Sequence, residues 1–136
     1  MRQKEQRLWD AMKRQFNGSR VWLQRIENLC VVGMPDVAVI TTIGDTYWVE
    51  LKAPTPRKKP ETPVLGDKEG LNVHQRGWHM KAAAMNVPSY ILVRADKEVF
   101  LVSGRWAAEI NDWPIERMRK LSAGNNWEEI VELLTE

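Results

Sequence analysis

A chain of 136 residues, 43% hydrophobic and 28% charged, is long enough for one domain with a real core and has the composition of an ordinary soluble globular protein. Its net charge of +2 and pI near 8.8 permit a polyanionic partner without demanding one. The lone Cys30, in an apolar run, excludes disulfides and thiolate metal sites within the chain; no apolar run approaches a membrane span and residues 1–5 lack a signal-peptide core, so an intracellular, cytoplasmic protein is expected.

The spacing predicts a first helix over residues 3–16, with Leu8, Met12 and Phe16 recurring every four residues, Trp9 widening the stripe and Asn17-Gly18 ending it. Glu5 lies at the edge of that apolar face, either as a first-turn partner of the helix dipole or as a carboxylate reaching inward. Residues 20–29 read as a strand with two similarly mixed sides, on which Glu27 is a second supporting carboxylate. Gly33 then turns the chain into Pro35-Asp36. Residues 36–41 form a β-branched, apolar strand, Ile43-Gly44-Asp45 supplies a turn, and residues 46–52 return as a second strand. Alternation puts Trp48, Glu50 and Lys52 on one face and Tyr47, Val49 and Leu51 on the other. Pairing across the hairpin can bring Asp36 beside Glu50 and Lys52. Two carboxylates and an ammonium at one strand end can hold a hard divalent cation and orient a water; a surface ion pair on a hairpin is the plainer alternative.

Residues 53–72 lack periodicity, hold four of the seven prolines and carry the basic run Arg57-Lys58-Lys59. A segment this long is either a solvated, mobile connector or a functional loop, and it leaves directly from Lys52. Asn72 caps a second helix, with Gln75 completing a capping box. Gln75, Trp78, Ala82 and Met85 form one stripe, the last three packing on a sheet and Gln75 either capping alone or reaching the site. His74 and His79, five apart, do not share a face and are expected at the surface or on phosphates. Strands follow over residues 89–94 and 99–102, then a short helix over 105–111, another from Pro114, and a last one capped by Asn126. The expected architecture is α/β (α+β), an α-β-β-β-α-β-β mixed sheet flanked by helices, in a single domain 1–136 with a core over about 3–102 and a helical tail over about 104–136.

In this order and on these elements, Arg25-Ile26-Glu27-Asn28, Gly33-Met34-Pro35-Asp36-Val37, Trp48-Val49-Glu50-Leu51-Lys52 and His74-Gln75-Arg76-Gly77-Trp78 resemble the PD-(D/E)XK nuclease superfamily. Within it the chain is most similar to the VRR-NUC and phage Holliday-junction-resolvase-like nucleases, over roughly residues 5–102. The resemblance implies a restriction-endonuclease-like core and Mg²⁺-dependent hydrolysis of DNA phosphodiesters, with Mn²⁺ able to substitute. It implies that Asp36, Glu50 and the Leu51 backbone carbonyl bind metal, that Lys52 is the catalytic lysine, and that Gln75 is the glutamine opening the second core helix. Glu5 maps to the family's first-helix glutamate, in competition with Glu27. Arg57, Lys58, Lys59, His74 and Arg76 are the expected phosphate contacts. Branched DNA and a homodimer are the expected partners, with the tryptophans of the tail as apolar surface for the dimer, and a phage origin in a host cytoplasm fits the likeness. A non-cleaving binding module on the same fold, or a nuclease for RNA or simple duplex, is the alternative.

Overall fold

Residues 3–26 and 32–135 are described by the computed structural model, and the expected order of elements holds along them. Helix α1 (Gln3–Gln15) buries Leu8, Trp9, Ala11 and Met12, as its four-residue repeat requires, and Gly18 at φ +86° turns the chain out of it. Five strands follow the chain in order across one sheet: β1 (Val21–Arg25), β2 (Val37–Thr41), β3 (Thr46–Lys52), β4 (Ser89–Ala95) and β5 (Glu98–Ser103). Neighbours are antiparallel except β3 and β4, which run parallel with Glu50 beside Ile91 and Lys52 beside Val93. A parallel pair needs a long crossover, here supplied by residues 53–88.

The two faces of the sheet build two cores. On one, Val37, Val39, Val49, Leu51, Leu92 and Leu101 pack with Leu8, Met12 and Phe16 and with Ile130 and Leu134 of α5 (Trp127–Thr135). On the other, Ile91, Val93, Phe100 and Val102 pack with Leu65 and Leu71 from the 53–72 segment and with Ile110, Trp113 and Met118. The strand alternation read from the sequence is what divides the sheet this way.

The 53–72 segment is more ordered than its composition predicts. It contains a one-turn helix, α2 (Gly66–Glu69), and buries Val64, Leu65 and Leu71. The Arg57 guanidinium donates to the carbonyls of Pro63 (3.0 Å) and Leu65 (2.9 Å) and pairs with Glu69 at 3.1 Å, closing the loop on itself. Buried Asn111 holds both backbone groups of Leu71, accepting from its N–H at 2.8 Å and donating to its carbonyl at 2.9 Å. The tail therefore sets where the next helix begins.

That helix, α3 (Val73–Ala84), starts with the predicted capping box between Asn72 and Gln75. Its inward face differs from the expected stripe: His79 and Ala82 are buried, whereas Met85 is 69% exposed at the C-terminal cap. Residues 105–111 are two 3₁₀ turns, Gly104–Trp106 and Ile110–Asp112, rather than one helix. The later helices α4 (Ile115–Leu121) and α5 begin after Pro114 and Asn126 as expected, with Asn126 accepting from the Glu129 N–H at 2.8 Å. Between them Ala123 and Gly124 pair with Leu101 of β5, so the tail is stitched to the sheet. The expected strand over 20–29 ends at Arg25, and Glu27 and Cys30 lie outside the described residues. Among the described residues no helix is long and apolar enough to cross a membrane.

Candidate active site

Register places the first two carboxylates. Val37 pairs with Val49, so Asp36, one residue earlier, falls opposite Glu50. The Leu51 N–H donates to Asp36 Oδ2 at 2.8 Å, fixing the aspartate against β3. Its other oxygen lies 3.7 Å from Arg25 Nη1, and the same guanidinium donates to the Asp36 carbonyl at 3.3 Å. Arg25 itself rests over the Trp9 ring, 5.9 Å from its centroid.

Glu50 is 2% exposed, and Lys52 is half-buried two residues on, on the same face. Gln75 joins them. Its amide nitrogen donates to Glu50 Oε2 at 3.1 Å, while its Oε1 accepts from Lys52 Nζ at 3.1 Å and from the Asn72 N–H at 3.0 Å. The glutamine that completes the capping box of α3 is therefore the one that bridges the acid and the base. Burial pushes the Glu50 carboxyl well above the ordinary carboxylate range, the neighbouring Asp36 raises it further, Lys52 opposes this, and the charge of Glu5 adds to the rise.

His79, expected at the surface or on phosphates, is instead part of the buried site. It is fully buried, its Nδ1 lies 2.8 Å from Ser89 Oγ, and its Nε2 faces Glu50 Oε1 at 4.0 Å, too far for a hydrogen bond. Both facing atoms are buried without a hydrogen-bond partner. Burial pulls the imidazole down to about 4, against the charge of Asp36 and with that of Lys52, so it is neutral at pH 7 and forms no ion pair with Glu50. Gly104 backs the pair: a Cβ there would lie 2.9 Å from His79 Nδ1 and closer still to Ser89. The available signal was the four-residue step from Gln75 to His79, which puts both on one helix face.

The remaining expected contacts lie apart from this cluster. Arg57 is committed to its own loop, Lys58 and Lys59 are exposed beyond it, and His74 is exposed at the start of α3 next to half-buried Arg76. Compared with protein-family models and with curated proteins, the chain matches none.

No three His, Cys, Asp or Glu side chains among the described residues form a metal-holding group by themselves. The donor set suits a hard cation that keeps most of its waters: carboxylate oxygens only, from Asp36 and Glu50, with the buried Glu50 Oε1 unpartnered. The unpartnered His79 Nε2 lies 4.0 Å from that same Glu50 oxygen.

Proposed function

We propose that this protein is a Mg²⁺-dependent endonuclease that hydrolyses DNA phosphodiester bonds, with branched, Holliday-junction-like DNA as its substrate. The supporting observation is the convergence of Asp36, Glu50 and Lys52 on one strand end, with Asp36 held by the Leu51 N–H and Glu50 and Lys52 bridged by Gln75 from the first turn of α3. A scaffold that only bound nucleic acid would have no use for a buried carboxylate with a raised pKa beside an ammonium. The choice of branched DNA follows the resemblance to junction-resolving nucleases.

In this reading Asp36 and Glu50 hold the ion, which when bound supplies charge neutralisation and a more acidic water. The protein's own groups do the rest. Lys52 offsets the charge that develops on the non-bridging phosphate oxygens or positions the attacking water. Gln75 fixes the Lys52 ammonium and the Glu50 carboxylate relative to each other, so neither reorganises during the reaction. Arg25 and the Leu51 N–H hold Asp36 in the same way, and Glu5 contributes a third negative charge at the rim.

Cleavage of a four-way junction, a duplex, a single strand and an RNA in Mg²⁺ tests the activity and ranks the substrates. Asp36→Ala and Glu50→Ala should abolish cleavage with the fold retained by circular dichroism. Lys52→Ala should lose ~10²–10³-fold in rate while metal binding by calorimetry persists. Mg²⁺-dependent cleavage by the Asp36 variant would overturn the assignment.

A further inference from the structure

Two adjoining clefts, of about 300 and 290 Å³, run along the carboxyl ends of the parallel strands β3 and β4 and share Pro54, Pro56 and Asp96 as their common wall. Ligands of open α/β sheets bind at that end of parallel strands. One cleft takes Lys4 and Arg7 from α1 and Arg94 from β4; the other takes Lys58 and Lys59 from the loop. Among the described residues, the side chains of Arg7, Lys58, Lys59 and Arg94 have no carboxylate or hydrogen-bond partner, and Lys4 donates only to the Thr55 hydroxyl. Of the two acids in the walls, Glu98 is held by Arg119, leaving Asp96. A chain with a net charge of +2 thus gathers five cations against one free acid in a single trough.

In the chain the trough adjoins the proposed site: Ala53 in its wall follows Lys52, and Lys4 precedes Glu5. Among the described residues, its lining contains no Phe, Tyr, Trp or His. Single strands are held largely by stacking bases on aromatic side chains, and nothing here offers that. Phosphates need only cations and width.

We infer that this trough seats the phosphodiester backbone of a double-stranded DNA arm and leads it to Lys52. The inference rests on the nuclease reading above and adds to it the surface and the strandedness of the substrate. Arg7, Lys58 and Arg94, on three separate elements, each contact a phosphate, and Arg57, spent on its loop, does not.

Binding of a fluorescent duplex and of a single strand is measured against salt in chelator, so that nothing is cut. Arg7→Gln/Lys58→Gln/Arg94→Gln is compared with the control Arg14→Gln/Arg20→Gln/Lys81→Gln, with melting curves confirming that both fold. The wild-type protein should bind the duplex more tightly than the single strand. The trough variant should lower the logarithmic salt slope for the duplex by up to ~2.7, at ~0.9 per contact, with the control unchanged. Equal slopes in wild type and trough variant, or an equal fall in the control, would overturn the trough while leaving Mg²⁺-dependent cleavage standing. Tighter binding of the single strand would overturn the duplex assignment. A wild-type protein that binds no DNA would remove both the trough and the nuclease reading.

Discussion

Glu50 sits on a central strand at 2% exposure, and Lys52 and the Gln75 amide offset its desolvation only in part. A carboxyl whose folded pKa is raised contributes stability that is fully present below its unfolded value, roughly 4.3, and is lost as pH rises through the folded value. The metal-free protein therefore carries a strain at neutral pH that Asp36 worsens and a cation would relieve. Glu50→Gln keeps the shape and the contact with Gln75 but removes the charge. Denaturant melts without metal should show it as stable as wild type near pH 4 and increasingly more stable as pH rises to 8, a gap that Mg²⁺ narrows by stabilising only the wild type. A constant gap across that range would mean that Glu50 is not the group titrating.

Helix α3 is placed by a backbone-to-backbone contact rather than by side chains alone. Gly33, at φ +85°, lies so close to the first turn that a Cβ would stand 2.9 Å from the Gln75 nitrogen and nearer still to the His74 carbonyl. Gly33→Ala is thus expected to cost ~1–3 kcal/mol and to lower turnover by moving Gln75 off Glu50 and Lys52. Gly44 is the matched control, with φ +86° in the β2–β3 turn and open space around it. Gly44→Ala should show the backbone cost of ~1 kcal/mol with cleavage unchanged. If both variants cut like wild type, the contact does not position the glutamine.

Across the molecule, the tail completes the fold. Trp113 is 2% exposed and meets Trp106 edge to face, with ring centroids 5.6 Å apart, and Trp127 packs on the α1 side of the sheet. Trp113 is thus spent inside the protein, while Trp106 and Trp127 are half-buried. The large apolar side chains that remain exposed include Trp22 on β1 and Val73 and Met80 on α3. Resolving a junction still needs two symmetric cuts, which a two-fold dimer supplies. Light scattering should give a 2:1 protein-to-junction complex on a four-way junction; a 15.8 kDa free protein that forms only a 1:1 complex would remove the dimer. Trp113→Ala should destabilise the fold by ~3–5 kcal/mol without changing that stoichiometry.

Features governed by neighbours in the chain were legible without coordinates. Alternation with period two fixes that Glu50 and Lys52 share a face while Val49 and Leu51 enter the core, because a strand has no other way to direct its side chains. Asn72 and Gln75 are three apart, which is all a capping box requires. The order of the loop and the partners that bury His79 were not legible, for one reason. Leu65 and Leu71 are buried by Ile110, Trp113 and Met118, and His79 by Ser89 and Gly104, partners ten or more residues further on that no local pattern announces. Charge was ambiguous in the same way: Arg57 and Lys58 are adjacent in sequence, yet one closes its loop on backbone carbonyls and the other faces an open cleft. Local geometry sets which way a side chain points, and only the returning chain sets what it meets there.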